Sequence, residues 1–409
     1  MIYNFLRMII YIPLVFIYIF NRKKREFLKK RFFQDFKKLN LRENCIWIHC
    51  SSVGEVNLTD SLIKKILEKT ENDILLSVFT DTGYETAEKK YSNNLRIKII
   101  YFPLDDYLSI KRILKNIRLR TLIIIETEIW PNLISLCSKE GRVILANGRI
   151  SDKSFKKNQK IKFILKSLLC EKIDFFCVQT EIDRERFESL GADKNKIKVT
   201  GNLKFDIELE NFSDLEKEKL KNDIFYNKKK IFVCGSTRTG EDEILIESFK
   251  RLKNYILVLV PRHLDRVNKI ENLLEKQGIS YKKYSEIENV SKDSSLDYQV
   301  LIVDKMGVLR KFYSIADITF VGGTLVNIGG HSLLEPLFYR KTPIFGEYLQ
   351  NVKDISKEIL KRKIGYLAKN SQDIYEDILK IEKNDLDIKE IENFFKENQN
   401  VAEKIIEKI

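Results

Sequence analysis

Metal and redox chemistry find few residues to work with in this chain. Only 3 histidines and 6 cysteines occur among 409 residues. The cysteines stand at positions 45, 50, 137, 170, 177 and 234, mostly inside apolar runs, and no C-x-x-C pair exists. That spacing argues against a structural zinc site and against a disulfide framework. The thiols read instead as small buried apolar groups in a reducing compartment. Also missing are an RNP motif, zinc-finger spacing and any evident internal repeat, so no nucleic-acid partner is expected.

What is present is a soluble globular composition. Hydrophobic residues make up 44% and charged residues 32%, and the length suits two or three domains with full cores. A net charge of +14 points to anionic partners: a membrane face or phosphorylated small molecules.

Residues 1–20 are apolar except for Asn4 and Arg7, and NRKKR follows at once. This reads as a membrane anchor, spanning or interfacial, with the body of the protein on the cytoplasmic side. A cleaved signal peptide fits poorly, because the charge follows the apolar run and no A-x-A-like site appears.

Beyond a basic stretch at 26–41, expected to be helical, apolar strands alternate with helical patterns. The first series has strands near 45–50, 74–79, 97–102, 121–125, 143–146 and 175–178. A charged segment at 207–230 reads as a linker, and a second series follows with strands near 231–234, 255–260, 300–303 and 318–321. Continuous apolar strands alternating with helices mark parallel sheets covered on both faces. The expected fold class is α/β, with two Rossmann-like parallel-sheet domains facing a cleft at residues 21–206 and 231–385, and a helical segment at 386–409. Ligands of such sheets bind at the carboxyl ends of the strands.

The stretch from Phe320 to Gly346, FVGGTLVNIGGHSLLEPLFYRKTPIFG, carries the most functional information. Paired glycines permit close backbone approach, and the N-terminus of a helix favours a phosphate. Glu335 would repel a phosphate and suits sugar hydroxyls, so a nucleotide is indicated; a ligand-free glycine turn remains the alternative. Arg262, after the strand YILVLV and Pro261, has the planar fork that suits phosphate. Gly307, beside Met306, permits close approach of a base or phosphate. Glu55 follows the first strand and can accept a proton from a hydroxyl, or else only complement a helix dipole. Glu126 and Glu128 follow another strand; in an extended segment they point opposite ways, so only one need face the site. Lys204 can offset charge on a leaving phosphate or lie idle on the surface. Residues 236–241, STRTGE, read equally as a hydroxyl-rich helix cap or a ligand contact.

In order and spacing, the segments SSVGE, TDTGYE, ETEIWPN, NGRISDKS, GNLKFD, GSTRTGE, VPRH, DKMG and VGGTLVNIGGHSLLEP resemble the 3-deoxy-D-manno-octulosonic acid (Kdo) transferases. The resemblance implies a GT-B glycosyltransferase that moves Kdo from CMP-Kdo to the lipid A precursor at the cytoplasmic face of the inner membrane. It implies inversion in a single displacement, with no cofactor and no required metal. By the match, Glu55 is the proton acceptor, and Glu126 and Lys204 are transition-state stabilisers. Pro261, Arg262, Met306, Gly307, Val308, Ser332, Leu333, Leu334 and Glu335 are the CMP-contacting positions. Three positions depart from the family pattern: Val308 stands where glutamate is usual, Ser332 where asparagine is usual, and Arg238 where histidine is usual. Other readings are a two-domain transferase or epimerase using a UDP-sugar, and a non-catalytic membrane-bound nucleotide- or lipid-binding protein.

Overall fold

The computed structural model describes every residue except 1, 2, 5–12, 14–17, 19, 40, 42, 43, 208, 225–228, 289–297 and 384–387, with the side chains of 23 and 223 also left out. The expected anchor at 1–20 therefore lies almost entirely outside the described residues. Among the described residues no helix is long and apolar enough to cross a membrane.

The chain divides into two units. The first is Met1–Ile207 with Asn398–Ile409, and the second is Glu208–Glu397. Each contains one seven-stranded sheet. In the first unit the strands are β1 (Cys45–Cys50), β2 (Asp73–Val78), β3 (Ile97–Tyr101), β4 (Leu119–Ile125), β5 (Arg142–Gly148), β6 (Phe175–Val178) and β7 (Ile197–Val199). They lie in the order β3-β2-β1-β4-β5-β6-β7, and every pairing is parallel.

The apolar runs read as strands form because both faces are covered. Along β1, Cys45 and Trp47 enter one core, while Ile46, Ile48 and Cys50 enter the other. Alternate side chains of a strand point to opposite faces, so an uninterrupted apolar run is what a two-sided core selects. The second core is closed by the last helix, Val401–Ile406, through Val401, Ala402 and Ile405. Asp206 fastens that helix by accepting the amides of Asn400 at 3.0 Å and Ala402 at 2.7 Å. The aspartate of the GNLKFD segment thus caps a helix almost two hundred residues further along the chain.

The second unit has β8 (Lys230–Thr237), β9 (Tyr255–Pro261), β10 (Tyr281–Lys283), β11 (Val300–Ile302), β12 (Ile318–Val321), β13 (Pro343–Phe345) and β14 (Tyr366–Leu367). Their order is β10-β11-β9-β8-β12-β13-β14, again all parallel. Strands β7, β10, β13 and β14 are short, with two or three residues each, too few for an apolar pattern to stand out. The stretch 207–230, read as a linker, contains the helix Asp214–Ile224, which lies in the second unit. The basic helix expected at 26–41 runs only over Arg22–Phe32, with a separate turn at Phe36–Leu39. Arg31, fully buried, holds it down by donating to the carbonyls of Phe27 and Phe79 and to Asp81.

Candidate functional site

In each sheet the chain turns to the opposite side after one central strand, and the resulting crevice at the carboxyl ends is where ligands of such sheets bind. In the first unit that switch lies between β1 and β4. Glu55 follows β1 and Glu126 follows β4.

Ser52 caps the helix Val53–Leu58, and Glu55 occupies its first turn. The Glu55 carboxylate accepts the Ser51 amide at 2.5 Å and the Ser52 hydroxyl at 3.2 Å. These bonds tie Glu55 to the capped start of its own helix and fix the carboxylate at the strand end. Glu55 is 8% exposed. Burial pushes its pKa from 4.5 up to about 7; the Ser51 hydrogen bond opposes this, and the charges of Glu128 and Glu126 add to it. Burial also raises Glu128, which accepts the Trp130 indole N–H at 3.0 Å. Beneath these carboxylates lie aromatic rings: Trp130 stacks on Phe79 at 5.8 Å and packs against Phe102 at 4.8 Å. Buried His49, 4.2 Å from Phe102, is pushed down to about 3 by burial and stays neutral.

One local expectation fails here. Glu126 and Glu128 do not continue an extended strand, because Glu126 has φ +60 and starts a turn. The extended alternation therefore ends at Glu126, and both carboxylates come near enough to act on Glu55. Lys204 sits half-buried on the turn Leu203–Phe205. That turn is set by Asn202, which accepts the Lys204 amide at 3.0 Å, and by Asn147, which accepts the Leu203 amide at 2.9 Å.

In the second unit the switch lies between β8 and β12, and a cavity of about 490 Å³ opens at the strand ends. Pro261, Arg262, Met306, Gly307, Ser332 and Glu335 line it, together with Glu210, Ser236, Lys305, Arg310, Tyr313 and His331. Val308, Leu333 and Leu334 do not. Val308 packs against the core beside the helix Leu309–Ile315, and Leu333 and Leu334 are buried in the turn that opens Leu334–Phe338. Arg262 and Arg310 bring positive charge to the wall, which suits a phosphate, whereas the Lys305 ammonium is paired with Glu288 at 2.7 Å. Arg310 lies 3.5 Å from Glu335, whose pKa is raised by burial and lowered by Arg310 and Arg262. The carboxylate expected to meet sugar hydroxyls thus already has a cation beside it. Sequence reading passed over Arg310 because it stands in none of the motifs; its nearness to the DKMG turn was the available signal.

The glycine loop is built differently from the expectation. The amides of Gly323, Thr324 and Leu325 donate to the Glu241 carboxylate at 2.8, 3.0 and 2.9 Å, and the Arg238 amide adds a fourth bond at 2.8 Å. The Gly322 amide donates to Gly235, and that of Gly330 to Gly323. These amides are occupied within the fold and are not free to meet a ligand. The glycines have a second reason to be there. A Cβ on Gly322 would lie 2.4 Å from the Ser236 carbonyl oxygen, closer than a side chain can come. Nor is residues 236–241 a hydroxyl cap: the helix begins at Asp242 without a side-chain cap, and Glu241, fully buried, joins the loop after β8 to the loop after β12.

Residues 26–207 match the family model described as 3-deoxy-D-manno-octulosonic-acid transferase (kdotransferase). A 3-deoxy-D-manno-octulosonic acid transferase of Haemophilus influenzae is 34% identical over 332 residues, covering 80% of this chain and 76% of that protein. The chain belongs to the Kdo transferase family. A bifunctional glycosyltransferase/methyltransferase of Fusobacterium nucleatum is 54% identical over 410 residues, which is 99% of this chain. The chain spans 63% of that relative's length. In fold, the chain is similar to a UDP-GlcNAc 2-epimerase from Neisseria meningitidis, with TM-score 0.54, 12% identity, and coverage of 89% of this chain and 98% of that one. Two Rossmann-like parallel-sheet domains are therefore the architecture, as expected.

Arg238, one of the expected departures from the family pattern, is held between two imidazoles. Its Nε donates to His331 Nε2 at 3.2 Å, and its Nη1 to His263 Nε2 at 2.6 Å. A guanidinium only donates, so both rings accept at Nε2 and carry their proton on Nδ1. Burial, then the charges of Arg238 and Arg262, push His331 down to about 4, which keeps it neutral at the cavity wall.

Proposed function

We propose that this Kdo transferase family member transfers Kdo from CMP-Kdo to a lipid A precursor such as lipid IVA. The observation that carries the catalytic part is the buried Glu55 carboxylate, raised to about 7 at the carboxyl end of β1. A base poised near the working pH takes a proton most effectively. Glu55 removes the proton of the acceptor hydroxyl, whose oxygen attacks the anomeric carbon of Kdo. The bond from that carbon to the CMP phosphate oxygen breaks, CMP leaves, and the anomeric centre inverts. Glu126 and Lys204 stabilise charge in this transition state. The first unit takes the acceptor and the second takes the donor, with the phosphate met by Arg262 and Arg310 and the rest of CMP by the turns at Met306–Gly307 and Ser332–Glu335. The reaction takes place at the cytoplasmic face of the inner membrane.

The test is CMP release from CMP-Kdo with lipid IVA as acceptor. Turnover that disappears in Glu55→Gln, with CMP binding retained, supports the reading. Absence of CMP release from the native chain, or unimpaired turnover by Glu55→Gln, would overturn it.

A further inference from the structure

Between Lys153 and Cys170 the chain carries six lysines, at 153, 156, 157, 160, 162 and 166, and no acidic residue. All six are exposed. Asp152 just before them is paired with Arg186. The segment forms the helix Asp152–Gln159, the short helix Lys162–Leu165 and a wider turn at Lys166–Cys170. One side of it is anchored: Leu165, Leu169 and Cys170 are buried in the first-unit core, and Phe155 and Leu168 pack against that core. The other side presents large apolar groups to solvent, with Ile161 41%, Phe163 87% and Ile164 57% exposed.

Exposed apolar groups on a protein surface call for a partner. Two kinds fit a basic surface, an acidic protein and an anionic bilayer. Protein interfaces are depleted in lysine and fill pockets with their aromatics. Here Phe163 projects outward among flexible lysines. Apolar side chains entering a headgroup layer, ringed by lysines whose stems lie along the apolar surface and whose ammonium groups reach lipid phosphates, match an interfacial segment.

We propose that residues 153–170 are a docking face for an anionic bilayer surface, with Ile161, Phe163 and Ile164 entering the headgroup boundary. The face adjoins the candidate acceptor site. Asn158 and Leu165 line a small apolar cavity together with Thr127, Glu128 and Ile129, on the same loop as Glu126. Docking there would hold a lipid-borne hydroxyl close to that loop; this bearing on catalysis rests on the transferase reading, whereas the docking itself does not.

The test uses the full chain carrying Phe163→Trp and vesicles containing brominated phosphatidylcholine, with the native chain as baseline for Trp47 and Trp130. On vesicles that also contain phosphatidylglycerol, the new emission is expected to shift to the blue and be quenched. Vesicles without anionic lipid, or high salt, should abolish the effect. Adding Lys156→Gln and Lys160→Gln should move the quenching midpoint to roughly tenfold more lipid. No difference from the native baseline on anionic vesicles overturns the proposal, including the case where the chain still sediments with them through another segment. Equal quenching on uncharged vesicles overturns the charge-directed part. Because none of these readouts involves turnover, their failure is separable from failure of the transferase reading.

Discussion

Glu55 ties stability and activity to one titration in opposite directions, which makes it the most exacting place to perturb the protein. Its pKa rises from 4.5 to about 7 because the folded state buries the carboxylate. At about 1.4 kcal/mol per unit, that difference amounts to about 3 kcal/mol. The raised value means the fold favours the protonated acid. Its stabilising contribution is therefore complete below about pH 4.5 and is lost as the pH climbs through about 7. Catalysis needs the opposite form, since only the carboxylate accepts a proton, so kcat/KM for Kdo transfer should rise through the same range and level off above it. Glu55→Gln removes the titration. Urea unfolding of the native chain and this variant at a series of pH values should give a stability difference that shifts against the native chain by about 3 kcal/mol between pH 4 and pH 9. Glu128→Gln, which removes a charge that raises Glu55, should move the rate profile to lower pH. A profile flat from pH 5.5 upward, with no pH-dependent difference in stability, would refute the claim that burial outweighs the Ser51 hydrogen bond.

Substitutions at two further positions test how the loops are held. Glu241→Gln replaces one carboxylate oxygen, which accepts two amides, with an NH2 group that opposes them. At about 1.5–3 kcal/mol per hydrogen bond to a charged group, unfolding of the second unit in urea should come about 3–6 kcal/mol easier, with weaker CMP binding. Glu126 holds a left-handed conformation that only glycine adopts freely. Glu126→Gly should therefore be about 1 kcal/mol more stable than Glu126→Ala in thermal or urea unfolding, although both lose transferase activity.

Much of the architecture could be read directly. Apolar runs such as CIWIHC and YILVLV became central strands because a parallel sheet covered on both sides has no solvent-facing position to fill with polar residues. The end strands, such as Tyr366–Leu367, were hidden by their brevity. Among the candidate donor residues, those that a motif put at a strand end, such as Arg262 and Gly307, line the cavity. A motif does not tell which way a turn faces: Val308, Leu333 and Leu334 stand in the same segments but do not line the cavity. The role of Glu241, within the segment 236–241 read as a cap or a ligand contact, stayed hidden for a related reason. A glutamate at the start of a helix is indistinguishable in sequence from a first-turn acid, whether it meets solvent or reaches a loop eighty residues away.

The sequence by itself determined two parallel-sheet domains and a family. Strand periodicity and ordered motifs are local properties, and they survive in one dimension. Tertiary structure decided the surroundings of the candidate side chains. It buried Glu55 beside two other carboxylates and so moved its titration toward neutrality. It spent the glycine-loop amides on Glu241, and it gave Arg238 two imidazoles to hold. Each of these follows from desolvation or from a hydrogen bond between strand ends distant in the chain, and only the fold brings those ends together.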